Sequence, residues 1–362
     1  LSHGKLFHTT DKTGIHTLNN GKKHDIDTHM VIRGDSRPIH DYRISADLDF
    51  AKDHQLSVSY SGNYKKKGQH IEMTGMQTSL LDNNIKDILH NANLDYTLPI
   101  GLDLGADFTY YEDNVRQDMK SALQGERLDF ITNSQQRINR SKFFAREEHK
   151  LGKKAMINYG LVYTHIIDHS RQDYEPTEET TADKLPASLS SRRTENILNI
   201  YGGGTVNLSD KLSAELSLAA EHSKTTLWDE WDLYPTLSAT YMPSSGHMWQ
   251  LSFSTGKKYP EFWAMQNVAS YYGSYYEHIV GNPALKPSKE YSLSLVHVLH
   301  NKYMFRGWFS HTKDNFTQTM FQDRDQLVEI AKFDNFDFYQ NAGIMISSPW
   351  RPVWWLDTHT TV

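Results

Sequence analysis

The dominant pattern along the chain is an alternation of apolar and polar residues with a period of two. In the segment 212–220, Leu, Ala, Leu, Leu and Ala alternate with Ser, Glu, Ser and Ala. Such alternation is typical of β-strands with one apolar and one polar face. The same pattern recurs at 55–60, 92–98, 102–110, 157–163, 237–241, 249–253 and 291–295.

The lengths of these segments favour a membrane barrel over a soluble sandwich. There are about fifteen of them, many of roughly ten residues, and a tilted strand needs ~9–11 residues to cross a bilayer. Strands of soluble sheets are usually shorter, at ~5–6 residues. Only helices and closed barrels satisfy every backbone hydrogen bond in hydrocarbon, and no apolar run reaches the ~18 residues of a membrane helix. The sequence therefore predicts an all-β fold, a large transmembrane antiparallel β-barrel.

The connections predict which side of the membrane each strand end faces. Short turns alternate with long polar stretches, as in barrels with short periplasmic turns and long external loops. We expect short turns at 51–53, 99–101, 152–154, 207–211, 243–247, 300–301 and 349–352, and external loops at 64–88, 112–135, 168–191 and 257–288. Aromatic residues beside the short turns predict a periplasmic-side girdle: Tyr241 and Trp249 around one turn, Trp350 and Trp354 around the turn at Arg351–Pro352.

Composition supports thin apolar surfaces with amphipathic edges. Hydrophobic residues make up 38% of the chain and aromatic residues 12%, including 20 Tyr and 8 Trp. A net charge of −6 gives no indication of a nucleic-acid partner, and the lack of cysteine excludes disulfides and thiolate sites. Neither a catalytic motif nor a metal-ligand spacing occurs, despite 19 His. We therefore predict a protein that is not an enzyme and has no catalytic residues, no metal site and no cofactor.

A family resemblance is carried by residues 232–320. Tyr234–Tyr241 leads into Leu251–Pro260, and Tyr271-Tyr272 is followed by Gly281-Asn282-Pro283-Ala284-Leu285-Lys286-Pro287 before a strand that begins at Tyr291. This text resembles the β-barrel domain of TonB-dependent outer-membrane receptors, in particular the Bacteroidetes-type outer-membrane barrel family. In that family a Gly-Asn-Pro-x-Leu-x-Pro segment ends a long external loop. Gly281 permits a left-handed turn, and Pro283 and Pro287 fix φ, so we interpret Gly281, Asn282, Pro283, Leu285 and Pro287 as structural.

The resemblance implies uptake of a scarce nutrient across the outer membrane, energised through TonB. Its partners would be outer-membrane lipid, TonB acting through a plug domain, and a small nutrient, glycan or peptide. We expect residues 1–362 to be part of one barrel domain, about fifteen strands of a 22-strand barrel, with the N-terminal plug and the terminal strands outside this sequence. Two alternatives stay open: a surface barrel acting as adhesin or scaffold without transport, and a soluble carbohydrate-binding β protein.

Two aromatic groups in the predicted external loops are candidate ligand contacts. The first combines aromatic faces with a carboxylate, which could stack on a sugar ring and bind its hydroxyls; an aromatic belt at the upper membrane interface is the competing interpretation. The second could contact a ligand or partner, or pack the loop on itself. The first group is Trp228, Asp229 and Trp231, and the second is Trp263, Tyr271, Tyr272, Tyr275 and Tyr276.

Overall fold

A computed structural model describes residues 5–36, 39–51, 54–177, 180, 184–266, 269–271 and 273–361. Within these residues eighteen β-strands form one sheet. Their bounds are β1 Lys5–Thr17, β2 Lys23–Ser36, β3 His40–Ala51, β4 His54–Gly75, β5 Gln77–Thr97, β6 Leu102–Leu123, β7 Glu126–Leu151, β8 Ala155–Pro176, β9 Leu189–Ser209, β10 Leu212–Lys224, β11 Asp229–Ser244, β12 His247–Lys258, β13 Ala269–Tyr271, β14 Glu277–Val280, β15 Ser288–Leu299, β16 Tyr303–Gln322, β17 Glu329–Val353 and β18 Leu356–Thr361.

The sheet is an antiparallel meander with a single local exception. Apart from β2 and β3, which both pair with β4, each wall strand pairs with the next wall strand in chain order. β12 pairs with β15, and only the short β14 pairs in parallel, with β17. The lower half of β4 pairs with β3 and its upper half with β2, so β2 and β3 together form one interrupted strand. Counted in this way, and with β13 and β14 set aside as loop strands, the described wall has fifteen strands. The predicted all-β antiparallel fold and strand number are confirmed.

Contacts between distant strands show that the sheet curls back on itself. β1 and β17 are thirteen wall strands apart, which would separate them by roughly 60 Å in a flat sheet at ~4.8 Å per strand. However, the Lys12 ammonium on β1 is paired with the Glu329 carboxylate on β17, and Asn19 donates its backbone N–H to the Arg324 carbonyl at 2.8 Å. The wall is therefore a curled barrel, and it is open at the lower edge of β3, which pairs with no second strand among the described residues.

Strand alternation divides the wall into an apolar outer face and a polar inner face. On β11, Trp231, Leu233, Leu237 and Tyr241 are exposed on the outer face, while Ser238 faces inward. The same outer row continues across neighbouring strands, where Leu237 pairs with Leu216 and Phe253, and Leu251 pairs with Leu295. This continuous apolar band is the surface that a barrel presents to lipid.

The aromatic residues that limit this band are the correct distance apart for a bilayer. Trp231 and Tyr241 are ten residues apart on β11, or roughly 33 Å along the strand. A tilt of about 40° reduces this to roughly 25 Å, the height of the apolar band of outer-membrane barrels. On the lower side Tyr241 pairs directly with Trp249, whose ring stacks on His297 at 3.8 Å.

Three of the predicted external loops are strand instead. Residues 64–88, 112–135 and much of 168–191 lie in β4 to β9, which are 21 to 26 residues long and continue far above the membrane band. The hairpins end in tight turns, with Gly75 at φ 115° and Gln124-Gly125 at φ 51° and 88°. Above the membrane both faces of a strand meet water or protein, so apolar alternation is lost although the hydrogen-bonded ladder continues.

The other predicted short turns agree with the sequence, with one shift. The turn predicted at 51–53 includes residues 52 and 53, which lie outside the described residues. Turns occur at 152–154, 210–211, 245–246 and 300–302. The last turn is Trp354-Trp355 and not Arg351–Pro352, because Trp350 still pairs with Thr358 and Val353 with Leu356. A 3-10 turn forms at Trp263–Met265, and no helix among the described residues is long and apolar enough to cross a membrane.

The band makes a prediction about two neighbouring residues. Leu237 lies within the outer band and Ser238 faces inward. We expect Leu237→Arg to lower the free energy of unfolding by about 2–4 kcal/mol, because its charge would enter hydrocarbon. Ser238→Arg, the matched control, should lower the free energy of unfolding by less than about 1 kcal/mol. Urea unfolding of the barrel in lipid vesicles measures both, and equal costs would contradict the assignment of faces.

Candidate ligand-binding surface at the external end

The main feature of the external end is the loop of residues 259–287 between β12 and β15, here named the crossing loop. It carries the 3-10 helix, β13 and β14. Its tip reaches strands on the opposite side of the barrel: Ser79 on β5 donates to the Gly273 carbonyl, and the Tyr275 N–H donates to the Ser121 hydroxyl on β6 at 3.0 Å. The loop therefore spans the external opening of the curled wall.

Tyr276 anchors this loop. Its side chain is 1% exposed, and its hydroxyl lies 3.1 Å from Nδ1 of the buried His16 on β1. The Lys12 ammonium lies 5.5 Å from its ring centroid and is also paired with Glu277 at 2.9 Å. A phenol enclosed in this way holds the loop to β1, and it has no surface left for a ligand.

Tyr271 and Tyr275 cover an apolar cluster on the inner face of the strand extensions. The Tyr271 ring lies 5.2 Å from Phe130, and burial raises the pKa of Tyr271 to about 12. Both tyrosines are partly buried. The cluster beneath them is Ile71, Met73, Leu81, Met119, Leu128 and Phe130. Tyr272 lies outside the described residues.

Trp263 is the most exposed aromatic residue of the described crossing loop. It is 41% exposed, its indole N–H donates to Glu261, and its ring meets Phe333 edge-on at 5.3 Å. A large indole face that is fixed on one side and open to solvent on the other is suited to stacking on a ligand ring.

Trp228 joins the crossing loop from the β10–β11 connection. Its ring stacks on Tyr259 at 6.3 Å and receives the Arg193 guanidinium at 5.2 Å. Arg193 also lies 4.9 Å from the ring of Phe262 and is paired with Glu195. The Trp228 indole N–H is buried and has no hydrogen-bond partner within the described part of the chain. Among the described residues of the predicted aromatic groups, it is the only buried side-chain polar atom without a partner.

Asp229 and Trp231 lie on the opposite face of the wall from this inner cluster. Asp229 accepts from His222 at 2.7 Å and pairs with Lys224 at 3.0 Å, while Trp231 stacks on His222 at 4.9 Å and is 59% exposed. Strand alternation separates them from the inward Glu230 and Asp232. The structure therefore does not bring the residues of the first predicted group together in one site.

The segment 281–287 fixes the end of the crossing loop. Asn282 donates to the Phe333 carbonyl at 3.0 Å and to Asp334 at 2.9 Å, and its own amide oxygen accepts the Ala284 N–H at 3.0 Å. Leu285 is 1% exposed within the cluster that contains Met265. These contacts join the end of the loop to β17.

Gly281 is required for a different reason from the one predicted. It is not among the described residues with positive φ, so the expected left-handed turn is wrong. Instead, a Cβ at this position would lie 1.9 Å from the Gln266 carbonyl oxygen. Close approach of two backbone segments requires the glycine here.

An ion network on the inner wall beside the loop was not predicted from the sequence. The Lys257 side chain is 2% exposed, and its ammonium contacts Ser223 at 2.9 Å, Glu230 at 2.9 Å and Asp232 at 2.7 Å. Asp232 also pairs with Lys289 on β15. The available signal was that Glu230 and Asp232 alternate with the outward Trp231 and Leu233 on β11, and inward positions are expected to line a polar lumen.

Further round the inner wall, two carboxylates share a site above the membrane band. Burial, and then the hydrogen bond and charge of Asp87, raise the pKa of Asp113 to about 6, and Lys67 opposes this shift. Asp87 and Asp113 are directly paired on β5 and β6. The folded protein therefore stores electrostatic repulsion at this point at neutral pH.

These features define a class of protein, a bacterial outer-membrane β-barrel. The model of the Outer membrane protein beta-barrel family matches residues 101–362, and the chain belongs to that family. A search of curated proteins gave no significant match. The predicted location in the outer membrane and the family resemblance are confirmed.

Solved receptor structures share the fold at low sequence identity. A double mutant of the Serratia marcescens hemophore receptor HasR, in complex with its hemophore HasA and heme, has a TM-score of 0.52 at 11% identity, over 96% of this chain and 61% of that one. A mutant of the Pseudomonas aeruginosa ferric enterobactin receptor PfeA gives 0.51 at 10%, over 97% and 60%. The copper transporter OprC gives 0.57 at 9%, over 99% and 56%. The chain thus spans about 60% of the length of these structures.

The pair of Asp87 and Asp113 predicts that one substitution raises thermal stability at neutral pH but not at acidic pH. Because the folded state holds the Asp113 proton more tightly than the unfolded state, stability decreases as pH rises from about 4 to about 6. Asp113→Asn should therefore raise the unfolding midpoint at pH 7.5, by roughly 1–3 °C, and give no gain near pH 4. Thermal unfolding in detergent measures this, with Asp210→Asn in a periplasmic turn as control. A gain of the same size at both pH values would show that repulsion is not its cause.

The close approach at Gly281 predicts that adding a side chain there lowers the stability of the crossing loop alone. Gly281→Ala should separate residues 264–266 from 281–282 and weaken the crossing loop by about 1–3 kcal/mol, because its Cβ has no space. Hydrogen exchange should then accelerate in 259–287, with the wall strands unchanged. Gly256→Ala is the matched control, since no atom lies within 4 Å of its added Cβ. Unchanged exchange in the loop of Gly281→Ala would exclude this packing.

Proposed function

We propose that this chain is the barrel wall of a receptor that imports a scarce nutrient across the outer membrane with energy supplied through TonB. The observation that carries the proposal is the crossing loop, which extends from β12 to β1, β5 and β6 over the external opening. A loop in this position controls what enters the lumen. An adhesin or scaffold would not need an aromatic-lined loop fixed to both sides of its own opening.

The proposal gives the aromatic residues different roles. Trp263, exposed on the loop, and Trp228, with its unsatisfied indole N–H, would contact the nutrient. Tyr271, Tyr275 and Tyr276 would hold the loop in place. Asp229 and Trp231, on the outer face, would contact the nutrient only from outside the barrel.

Two further parts of the proposal extend beyond these residues. The plug domain through which TonB would act, and the strands that bring the wall to 22, would be supplied by sequence outside residues 1–362. The solved neighbours are described as receptors or transporters for heme carried by a hemophore, ferric enterobactin and copper. Iron chelates, heme and metal ions are therefore the first nutrients to test, followed by glycans and peptides.

The experiment combines gene deletion with a reversible lock on the crossing loop. The sequence has no cysteine, so Ser121→Cys with Tyr275→Cys would introduce the only two thiols in it, at positions where backbone N and hydroxyl O are 3.0 Å apart. We expect deletion to abolish growth on one nutrient, and the oxidised double variant to import that nutrient at least tenfold more slowly. Reducing agent should restore import. Each single-cysteine variant is a control for loss of the native side chain.

Two results would contradict the proposal. If the deletion strain grows as well as the parent on every nutrient, the barrel is not an importer. If uptake continues unchanged in cells without TonB, the protein is a passive pore. The first result would favour the adhesin or scaffold.

A further inference from the structure

The outer face of β4 to β8 carries a group of cations above the membrane band, here named the upper cationic patch. It consists of Lys66, Lys86, Arg116 and Arg171, all exposed. Register places them in two adjacent rows: Lys66 pairs with Lys86, then come Asn114, Gln135 and Arg171, and the row above contains Asn84, Arg116 and Asn133. The patch is therefore a continuous surface across five strands.

Lys66 and Lys86 face each other without a compensating charge. They are direct cross-strand partners, and each ammonium lies 5.8 Å from the ring centroid of the same Tyr64. Neither forms an ion pair with any residue that the structure describes. Like charges directly opposite on a sheet are destabilising. A bound anion would convert this repulsion into two favourable contacts.

A groove of about 430 Å³ continues the patch towards β8. Its lining includes Lys86, Arg116, Arg171 and the amides of Asn84, Asn114, Asn133 and Gln135. One carboxylate lies in it, Asp173, and the Arg171 guanidinium already binds that carboxylate at 2.6 Å. Lys86 and Arg116 keep their charge for an external anion. Asn114 and Gln135 already donate to the Glu112 carboxylate, and Asn133 donates to Glu175. Asn84 is the lining amide that donates to no carboxylate among the described residues, and it is suited to a hydroxyl of a sugar.

The height of the patch identifies the occupant. Below it lies an aromatic row at the membrane interface, where the Tyr60 hydroxyl contacts His90 at 3.0 Å and His90 stacks on Tyr110 at 6.1 Å. Lys86 is four residues above His90, which is roughly 10 Å higher for a tilted strand. That is the level of lipid headgroups, and the patch faces away from the lumen, so imported cargo cannot reach it.

We propose that the upper cationic patch binds the phosphorylated sugar headgroup of a glycolipid in the outer leaflet. Lys66 and Lys86 hold a phosphate between them, Arg116 binds a second anionic oxygen, and the Asn84 amide binds a sugar hydroxyl. The site fixes an annular lipid to one sector of the barrel, β4 to β8. It is independent of the import proposed above.

The test is binding of diphosphoryl lipid A to the full protein in detergent, followed by native mass spectrometry. Lys66→Gln with Lys86→Gln should weaken binding by roughly 10- to 30-fold, since each basic residue near an anionic lipid surface contributes about fivefold. The matched control is Lys153→Gln with Lys154→Gln, which removes two exposed lysines from a turn at the opposite end. The control should bind lipid A as the unmodified protein does.

Two comparison ligands complete the test. Dephosphorylated lipid A should bind no more tightly to the unmodified protein than to the Lys66/Lys86 variant. Inorganic phosphate at millimolar concentration should not displace diphosphoryl lipid A. Equal lipid A binding by the two double variants would overturn the proposal. Displacement by inorganic phosphate would also overturn it, because the patch would then be a site for free anions.

Discussion

Every backbone N–H and C=O inside the membrane must have a partner within the protein, and the rest of this structure depends on that constraint. It forces the chain into an uninterrupted antiparallel ladder from β4 to β12 and on to β18. The ladder then fixes side-chain direction, because successive residues on a strand point to opposite faces. Leu237 and the residues in its row face lipid and are therefore apolar. Ser238 and its neighbours face the lumen and are therefore polar.

The same rule explains which parts of the fold the sequence could predict. Within the band, Leu216, Leu237 and Leu251 must be apolar and their neighbours polar, so the period of two is visible in the sequence. Above the band the ladder continues without lipid, and the outer face carries Asn84 and Lys86 as readily as an apolar residue. Those extensions therefore resemble loops in the sequence, although the backbone remains paired up to Met73 on β4 and Leu123 on β6.

The candidate site was predictable as composition but not as geometry. Aromatic residues near 228–231 and 263–276 indicated an external surface, yet which of them are free depends on partners far away in the chain. Tyr276 is enclosed by His16, which lies 260 residues earlier. Trp228 and Trp231 separate onto opposite faces because one precedes β11 and the other lies on it. No local pattern contains the first fact, because it arises when the sheet curls and places β1 beside β17. The second fact depends on where β11 begins.

The curled wall also explains why so many charges lie on the inner side of the external end. The crossing loop is held by groups that reach it from several strands. Lys12 on β1 pairs with Glu277 of the loop, Arg193 on β9 contacts the ring of Phe262, and Lys257 joins β12 to Asp232 on β11. Such pairs contribute little individually, because desolvation offsets much of the attraction. These ion pairs do fix the position of the loop, because an ion pair breaks when the loop moves by a few ångströms, whereas apolar surfaces can slide past each other and stay in contact. The loop is consequently fixed in one position over the opening by interactions that a ligand, by supplying competing polar groups, is able to replace.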